Sequence, residues 1–285
     1  MRIAVIGATG LLGKPVTQEF INAGFTVTVL SRQPEQAQKL FPMARVVRAD
    51  LRDADSLLVG LRGQDAVYLN LSILQTEAPD DFHTETDGLE NLLPVAKRLG
   101  IRRIGYLSSL VMRYQGVNGF RWWAFDVKQE AVRKLKAAGI PYTIFYPSTF
   151  MEALPRQVQA GRLLLGGKSD VRLWFIAAQD YGKQVVRAFQ RTDAANCEYV
   201  IQGPESLTYS EAATVFCEKY PRKRLSVLTM PMGLLRFFGN FSRQADYGAH
   251  ILEALNGYPE HFEADRTWQD LGKPTTTLTE FARQG

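Results

Sequence analysis

A glycine-spaced turn near the start of the chain limits the architectures open to it. The turn reads GATGLLG from Gly7 to Gly13, after an apolar β-type run, Arg2–Ile6, and at the start of a helical pattern, Leu12–Ala23. Gly7 allows a tight turn, Gly10 lets the backbone approach a bound group, and Gly13 lets the helix pack close to the strand. Strand, glycine turn and helix in this order predict the first unit of a parallel sheet.

The rest of the first half continues this alternation. The predicted strands are Arg2–Ile6, Thr26–Leu30, Arg45–Arg48, Ala66–Asn70, Arg103–Leu107 and Tyr142–Tyr146. The predicted helices between them are Leu12–Ala23, Pro34–Phe41, Ser56–Leu61, Thr84–Leu99 and Trp123–Ala138. The first, fourth and fifth strands are nearly continuous apolar runs, as in strands covered on both faces. The fold class expected is α/β, with a doubly wound parallel Rossmann sheet.

After Pro147 the alternation weakens. Met151–Gln159, Tyr181–Gln190 and Met232–Leu255 have helical patterns, and Asp180 is placed to cap the second of them. We expect a Rossmann domain over residues 1–150 and a smaller mixed C-terminal substrate region over 151–285. Because no Gly/Ser linker lies near residue 150, the two parts should pack closely.

Composition excludes several other classes of protein. Lys and Arg number 34 against 29 Asp and Glu, a net charge of +5 that is spread thinly, so no nucleic-acid partner is expected. Two cysteines without a CxxC pattern and three scattered histidines favour neither a disulfide scaffold nor a metal site. No apolar stretch approaches the ~20 residues of a membrane span. The N-terminus reads as a strand and not a signal peptide, so a cytoplasmic location is expected.

The glycine turn is also the strongest functional signal. A helix that begins at such a turn offers free N–H groups and a partial positive charge to a pyrophosphate. The turn therefore predicts a dinucleotide site, although a purely structural turn is the alternative. Its GxxGxxG spacing resembles that of the short-chain dehydrogenase/reductase superfamily.

The end of the second strand favours NADP(H) over NAD(H). An NAD site usually has an Asp or Glu here, to accept from the ribose hydroxyls. The chain instead has Ser31, which can donate to a 2′-phosphate, and Arg32, which can pair with it. The alternative is that Arg32 is a solvated loop arginine.

Two further strand ends would line the same cofactor. Asp50 and Leu51 follow the third strand, where a carboxylate can accept from the adenine amino group. Asn70, Leu71 and Ser72 follow the fourth strand, where backbone and hydroxyl groups can meet the ribose. Asp, Asn and Ser are also common turn residues, so turn chemistry remains an alternative.

The catalytic set of short-chain dehydrogenases is incomplete in this chain. Ser108 and Ser109 end the fifth strand, and Lys128 lies on the following predicted helix. The superfamily places its acid, a tyrosine, four residues before this lysine on the same helix face. That position is Ala124, so we expect Lys128 and Ser109 to carry whatever acid–base function exists. A solvated Lys128 is the alternative.

The sequence as a whole resembles the NmrA-like branch of atypical short-chain dehydrogenase/reductases. The resemblance rests on GATGLLG, LSRQPEQ, VVRADLRDADSLLVGLRGQDAVYLNLS, VKQEAVRKLKAAGIPYTIFYPSTFME and IAAQDYGKQVVRAF, and covers nearly residues 1 to 220. It implies NADP(H) bound by the following residues: Gly7, Thr9, Gly10, Leu11, Leu12 and Gly13 at the pyrophosphate, Ser31 and Arg32 at the adenosine phosphate, Asn70, Leu71 and Ser72 along the cofactor, Lys128 at the nicotinamide ribose, and Tyr146, Pro147, Ser148 and Phe150 beside the nicotinamide.

Two interpretations of function remain open at this stage. One is an NADPH-dependent reductase of a quinone or other conjugated carbonyl, because such an acceptor needs no tyrosine. The other is a non-catalytic redox sensor that binds NADP(H) and regulates a protein partner. For the reductase, an apolar lining is offered by Tyr146, Phe150, Met151, Trp174 and Phe175, with ordinary core packing as the alternative.

Overall fold

The structure, a computed structural model, describes residues 1–192 and 196–285. Its strands are β1 (Arg2–Ile6), β2 (Thr26–Ser31), β3 (Arg45–Arg48), β4 (Ala66–Leu69), β5 (Arg103–Leu107), β6 (Tyr142–Pro147), β7 (Val158–Gln159), β8 (Arg162–Gly166), β9 (Arg172–Leu173), β10 (Cys197–Ile201), β11 (Leu207–Thr208) and β12 (Ser226–Met230). Its helices are α1 (Gly13–Asn22), α2 (Pro34–Leu40), α3 (Ala54–Leu61), α4 (Asp87–Arg98), α5 (Trp123–Ala137), α6 (Ala153–Arg156), α7 (Ala178–Gln190), α8 (Tyr209–Lys219), α9 (Met232–Gly239), α10 (Arg243–Gly257), α11 (Asp265–Leu271) and α12 (Leu278–Gln284).

A seven-stranded parallel sheet forms the centre of the molecule. Its order is β10-β6-β5-β4-β1-β2-β3, and the paired strands all run parallel. The chain winds outward in both directions from β1, so the carboxyl ends of β1 and β4 meet where the strand order reverses. Ligands of open α/β sheets bind at such a point. The predicted doubly wound Rossmann sheet is confirmed.

Helices cover both faces of this sheet. In β1, Ala4 and Ile6 face a layer formed with α3, α4 and α5, whereas Ile3 and Val5 face a layer formed with α1, α2 and α7. This alternation follows from the two-residue period of a strand. Both sets of side chains are buried, which explains why β1 reads as a continuous apolar run.

The second half of the chain forms a smaller region and also adds a strand and a helix to the main sheet and its cover. A smaller region joins β12, β8 and β7 in one sheet and β9 with β11 in another, around a core that includes Leu163, Phe175 and Phe216. However, β10 pairs with β6 in the main sheet, and α7 packs on α1. The main sheet thus crosses the division at residue 150, and the two-part division remains a prediction.

The helix predicted over Met151–Gln159 is wrong in its second half. Only Ala153–Arg156 is helical, and the chain then enters β7. Ala160 and Gly161 both have positive φ angles, 47° and 77°, and join β7 to β8 in a tight hairpin. Pairing with β8 provides hydrogen-bond partners for the backbone N–H and C=O groups of β7, which would otherwise have bonded within a longer helix.

The prediction that Asp180 caps its helix is also wrong. The helix α7 begins at Ala178, so Asp180 lies inside its first turn. The carboxylate at the helix start is that of Glu152, which accepts from the Ala178 N–H at 2.9 Å. Asp180 instead accepts from the N–H groups of Thr275 and Thr276, at 2.9 and 2.8 Å, and so holds the C-terminal segment.

Within residues 1–192 and 196–285, the structure has no helix with the length and apolar character needed to cross a membrane.

Candidate functional site

The fold itself requires two of the three glycines in the turn after β1. Gly7 has φ +81°, and a Cβ atom there would lie 2.1 Å from the carbonyl oxygen of Asn70. A Cβ on Gly13 would lie 2.0 Å from the carbonyl oxygen of Gly7. Both distances are far below van der Waals contact, so these glycines let β1, α1 and the end of β4 approach one another.

Gly10 is different, because the protein has room for a side chain there. A Cβ on Gly10 would lie 3.4 Å from the carbonyl oxygen of Gly7 and 3.8 Å from the Asn70 side-chain nitrogen, which are ordinary contacts. Thr9 and Gly10 are exposed, and Leu11 is 42% exposed. The space beside Gly10 is thus an open cradle over the start of α1.

Among the described residues, some polar groups around this cradle have no partner. No described side chain caps α1, and the Lys14 N–H already donates to the Gly10 carbonyl at 3.0 Å. The N–H groups that can receive an anion are therefore those of Leu11, Leu12 and Gly13. The side-chain oxygen of Asn70 is buried and, in the described part of the chain, has no hydrogen-bond partner. A buried acceptor of this kind suits a ligand hydroxyl. The residues present therefore fit a pyrophosphate with an adjoining ribose.

Ser31 and Arg32 lie at the end of β2, beside the cradle strand β1. The Ser31 hydroxyl accepts from the Gln33 N–H at 3.1 Å, which leaves its own proton free to donate. Arg32 is exposed, and within residues 1–192 and 196–285 its guanidinium makes no hydrogen bond or ion pair. An exposed, unpaired guanidinium at this edge is available to an anionic group.

The residues predicted after β3 have structural partners. Asp50 accepts from the Arg52 N–H at 3.0 Å, so its carboxylate is used in its own turn. Leu51 is buried, and its carbonyl accepts from the Asn91 side chain at 2.8 Å. After β4, Leu71 is buried as well. These contacts use part of the bonding capacity of the three residues, and their cofactor roles stay predictions; Asn70 and the exposed Ser72 remain open to a ligand.

Lys128 is held by a buried carboxylate and is not a solvated surface lysine. Its amine donates to Glu85 at 2.8 Å; the Lys128 side chain is 16% exposed and that of Glu85 is fully buried. The same Glu85 oxygen accepts from the Tyr106 hydroxyl, and the other has no partner in the described part of the chain. Burial, and then the charge of Glu85, raise the pKa of Tyr106 well above its usual range. Tyr106 therefore remains a protonated donor.

Glu85 is a functional candidate that sequence reasoning missed. The predicted helix Thr84–Leu99 included it, but α4 begins only at Asp87, whose carboxylate accepts from the His83 N–H at 2.7 Å. Glu85 therefore lies in the preceding loop and turns inward. Its partner Lys128 is 43 residues away, so no local pattern signalled the pair.

A core side chain occupies the position of the missing tyrosine. Ala124 is 3% exposed and packs in the layer between the sheet and α5. The hydroxyl of Tyr114 points toward α10, because a Cβ on Gly257 would lie 2.4 Å from it. At the end of β5, Ser108 donates to the Met112 sulfur at 3.5 Å, and Ser109 is half-buried.

The residues that follow β6 are also tied to the protein. Tyr146 donates to Glu198 at 2.7 Å, and burial together with that carboxylate raises its pKa above the usual range. The Pro147 carbonyl accepts from the Leu110 N–H at 2.9 Å. Phe150 packs edge-on against Tyr181. Tyr146 is therefore engaged as a donor inside the protein.

Ser148 leads to a second carboxylate that sequence reasoning missed. Its hydroxyl donates to Glu260 at 2.8 Å, and the side-chain amide of Gln202 donates to the other Glu260 oxygen at 2.8 Å. The Trp174 N–H approaches the same oxygen at 3.3 Å. Burial raises the pKa of Glu260 in spite of these bonds. Ser148 and Glu260 lie 112 residues apart, so no local pattern signals their contact.

The predicted apolar lining is wrong for Met151 and Phe175. Both are fully buried in the core of the smaller region, as the core alternative predicted. Trp174 is half-buried and packs against Phe262. A separate cavity of about 100 Å³ is lined by aromatic side chains together with charged ones: Trp122, Trp123, Tyr247, Glu77, Arg243 and Asp246.

This aromatic cavity is electrostatically linked to the Lys128 pair. Burial raises the pKa of Tyr247 to about 12, and the charges of Glu85 and Glu77 add to the shift. Trp123 begins the helix that carries Lys128, and its ring stacks on that of His83 at 5.0 Å. In the described part of the chain, no group of three or more His, Cys, Asp or Glu residues is arranged to hold a metal ion.

Known proteins share this fold over nearly the whole chain. An NADPH-dependent quinone oxidoreductase from Escherichia coli, solved with NADPH, is 21% identical and covers 99% of each chain, with a TM-score of 0.75. A triphenylmethane reductase from Citrobacter sp., solved with NADP(H), is 18% identical and covers 100% of this chain and 99% of its own, with a TM-score of 0.77. By sequence, the photosystem II assembly factor Ycf39 of Synechocystis sp. is 25% identical over 249 residues, which are 85% of this chain and 74% of that protein.

A family of proteins also matches most of the chain. The profile described as the NmrA-like family matches residues 1–269. That range includes the glycine turn, the Glu85–Lys128 pair and the Glu260 network. The chain belongs to the NmrA-like family.

Proposed function

We propose that this protein is an NADPH-dependent reductase of a quinone or another conjugated carbonyl compound. The observation that carries the proposal is the Lys128 amine, which a buried carboxylate holds on the helix that follows β5, with no tyrosine at position 124. A cation held in this way can orient a cofactor ribose or an acceptor oxygen. The NADPH- and NADP(H)-bound structures of similar fold support the choice of cofactor.

The cofactor roles follow from the cradle. The pyrophosphate would lie over Gly10 and the N–H groups of Leu11, Leu12 and Gly13, and Arg32 with Ser31 would take the 2′-phosphate. Asn70 would accept from a ribose hydroxyl through its unpartnered oxygen. The NADP(H) preference rests on Arg32, because no carboxylate follows β2 to accept from an unphosphorylated ribose.

In the proposed reaction, the main task of the protein is to position the cofactor and the acceptor. The bound dinucleotide supplies the hydride. Lys128 would place a positive charge near the acceptor oxygen, and its proton or one from solvent would neutralise that oxygen. Trp122, Trp123 and Tyr247 offer flat apolar faces for a planar acceptor.

The test is NADPH oxidation, followed by absorbance, with a panel of quinones and conjugated enones. We expect turnover that requires the acceptor and is reduced in Lys128→Ala at saturating NADPH. Tight NADPH binding without turnover on any member of the panel would contradict the reductase and favour the redox-sensor interpretation. Lys136→Ala is the matched control, since Lys136 lies on the same helix but pairs with Glu198.

Simple secondary alcohols should be poor substrates in the reverse direction. Their oxidation needs a base to remove the hydroxyl proton, and positioned acid–base help is typically worth ~10²–10⁴-fold. Ala124 cannot provide it, and Tyr146 already donates to Glu198. Rapid NADP-dependent oxidation of several unrelated secondary alcohols, measured as NADPH formation, would contradict this expectation.

A further inference from the structure

The helix α9 exposes an unusual amount of apolar surface. One of its faces packs on the protein, where Met232 and Leu235 lie against Gly167 and Gly166. The opposite face and the residues just after it form what we call the aromatic patch: Leu234, Phe237, Phe238 and Phe241, which are 43%, 56%, 48% and 76% exposed. An amphipathic surface helix would normally carry polar residues on this face.

The aromatic patch is contiguous. The Phe237 ring lies 5.9 Å from that of Phe238 and 5.3 Å from that of Phe241, in edge-on contacts. Single exposed apolar residues are common on proteins, whereas a contiguous cluster marks a surface that binds something. The cluster follows directly after β12, an edge strand whose Val227 and Leu228 are 37% and 40% exposed.

The segment that carries the patch is uniformly basic. Residues 219–245 contain six cationic side chains and no Asp or Glu: Lys219, Arg222, Lys223, Arg224, Arg236 and Arg243. Arg236 pairs with Glu253 of α10, and Arg243 lies near Asp81. The other end of the segment has what we call the basic triplet, Arg222, Lys223 and Arg224, which is exposed and makes no ion pair with the described residues. The strand β12, five residues and about 16 Å long, lies between the triplet and α9.

We propose that the aromatic patch and the basic triplet together bind the surface of an anionic lipid bilayer. Phenylalanine and leucine side chains enter the boundary between headgroups and acyl chains, while arginine and lysine side chains remain with the anionic headgroups. A helix that lies on the protein by one face and presents phenylalanines by the other is suited to bind in the plane of a membrane. This surface does not include the residues of the cofactor cradle, so the proposal is independent of the reductase activity.

Charge favours a lipid surface over a second copy of this chain. A two-fold dimer contact uses the same patch on both subunits. It would bring two basic triplets toward each other, with no carboxylate between residues 219 and 245 to neutralise them, while the nearby Glu253 already pairs with Arg236. An anionic bilayer supplies both the negative charge and the apolar phase that the exposed phenylalanines need.

The experiment is flotation of the full-length protein with two kinds of vesicle, phosphatidylcholine alone and phosphatidylcholine mixed with phosphatidylglycerol. We expect binding to the mixed vesicles only. Phe237→Ser/Phe241→Ser should weaken that binding at least about tenfold, because two largely exposed aromatic side chains no longer enter the bilayer. Arg222→Gln/Lys223→Gln/Arg224→Gln should weaken it roughly 100-fold, and added salt should have a similar effect.

Matched controls separate this surface from general stickiness and charge. Met43→Ser/Val59→Ser removes two apolar side chains of similar exposure, 84% and 57%, from another part of the surface. Arg45→Gln/Arg62→Gln/Arg98→Gln removes three exposed cations elsewhere. Both controls should bind mixed vesicles as the original protein does, and all variants should keep their unfolding temperature.

Three results would overturn the proposal. The original protein could fail to float with mixed vesicles. The controls could lose as much binding as the patch variants. Sedimentation velocity could show a dimer that Phe237→Ser/Phe241→Ser dissociates while vesicle binding stays unchanged, in which case the patch would be a contact between copies of this chain.

Discussion

Glu85 is a buried side chain that fixes the position of another candidate site residue, Lys128. The Glu85 side chain is fully buried. One carboxylate oxygen accepts hydrogen bonds from Lys128 and Tyr106, and the other has no partner among the described residues. A carboxylate in such a place depends on a cation, because an isolated buried charge is costly. Glu85 therefore acts on any ligand only through the position it gives Lys128, and it is a positioning residue.

This dependence predicts how the stability of the protein changes when Glu85 alone, or Glu85 together with Lys128, loses its charge. Glu85→Gln should destabilise the protein by about 3 kcal/mol, because it leaves the Lys128 cation half-buried without its counterion. The double variant Glu85→Gln/Lys128→Met should recover part of that loss, since no charge is then buried. Urea unfolding of the two variants measures the difference. A double variant less stable than Glu85→Gln would mean that the unpaired Lys128 cation is not what destabilises Glu85→Gln.

The position of Arg32 predicts that the protein binds NADPH more tightly than NADH. A hydrogen bond between charged groups contributes about 1.5–3 kcal/mol, so Arg32→Ala should weaken NADPH binding by roughly one to two orders of magnitude. NADH binding should barely change, because NADH has no 2′-phosphate. Calorimetry with both cofactors is the measurement, and Arg45→Ala is the control, an exposed arginine at the start of β3. Equal loss for both cofactors would contradict the assignment.

The residues that sequence reasoning found and missed differ in how far away their partners lie. Gly7 and Gly13 were found because a strand, a turn and a helix are local features. Glu85 and Glu260 were missed because their partners Lys128 and Ser148 lie 43 and 112 residues away. No periodicity or spacing rule connects positions so distant, and only the packed structure brings them together.

At the scale of elements, two glycines of the β1–α1 connection should have different roles: Gly10 in ligand binding and Gly13 in folding. Gly10→Val should leave the unfolding temperature nearly unchanged, because a Cβ there makes only ordinary contacts. It should abolish NADPH binding, because the side chain fills the cradle. Gly13→Ala should destabilise the protein by about 1–3 kcal/mol, because its Cβ would lie 2.0 Å from the Gly7 carbonyl oxygen.

Thermal unfolding and calorimetry on the same two variants check this pair of expectations. Unchanged NADPH affinity in Gly10→Val would show that the turn does not hold the dinucleotide. An unfolding temperature for Gly13→Ala equal to that of the original protein would show that α1 can move away from β1 at little cost.

Element prediction succeeded where the sequence pattern and the tertiary contacts agree. The strands β1, β3 and β5 have the predicted bounds, because their β-type runs are also buried or paired along their length. Prediction failed where the backbone or a side chain bonds to a partner outside the predicted helix. The second half of Met151–Gln159 became β7 by pairing with β8, and Asp180 binds residues 275 and 276 and does not cap its helix.

For the whole molecule, Glu260 connects parts of the chain that the main sheet alone does not join. It lies in the segment between α10 and α11 and accepts from Ser148 after β6 and from Gln202 after β10. Gln202 in turn accepts from the Glu263 N–H, and Arg113 pairs with Glu263. The C-terminal segment is thus fixed to the carboxyl ends of two neighbouring strands through one buried carboxyl group.

The raised pKa of Glu260 predicts how stability depends on pH. Because its folded pKa lies above the unfolded value of about 4.3, folding favours the protonated carboxyl. The contribution of Glu260 to stability is therefore fully present below about pH 4.3 and is lost as the pH rises through the folded pKa. The physical cause is burial, which penalises the ionised form more than the bonds from Gln202 and Ser148 stabilise it.

Glu260→Gln removes this titration while its amide keeps an acceptor for Gln202 and Trp174. The free energy of unfolding of the original protein minus that of Glu260→Gln should fall as the pH rises above about 4.3, by at most about 1.4 kcal/mol per pH unit, and then level off. Urea unfolding of both proteins across the pH range measures the difference, in which other titrating groups cancel. Glu205→Gln serves as the control, since Glu205 accepts from the Leu278 N–H in the C-terminal region but shows no such burial. A difference that rises with pH would mean that the network holds Glu260 ionised, and that Ser148 and Gln202 outweigh the cost of burying its charge.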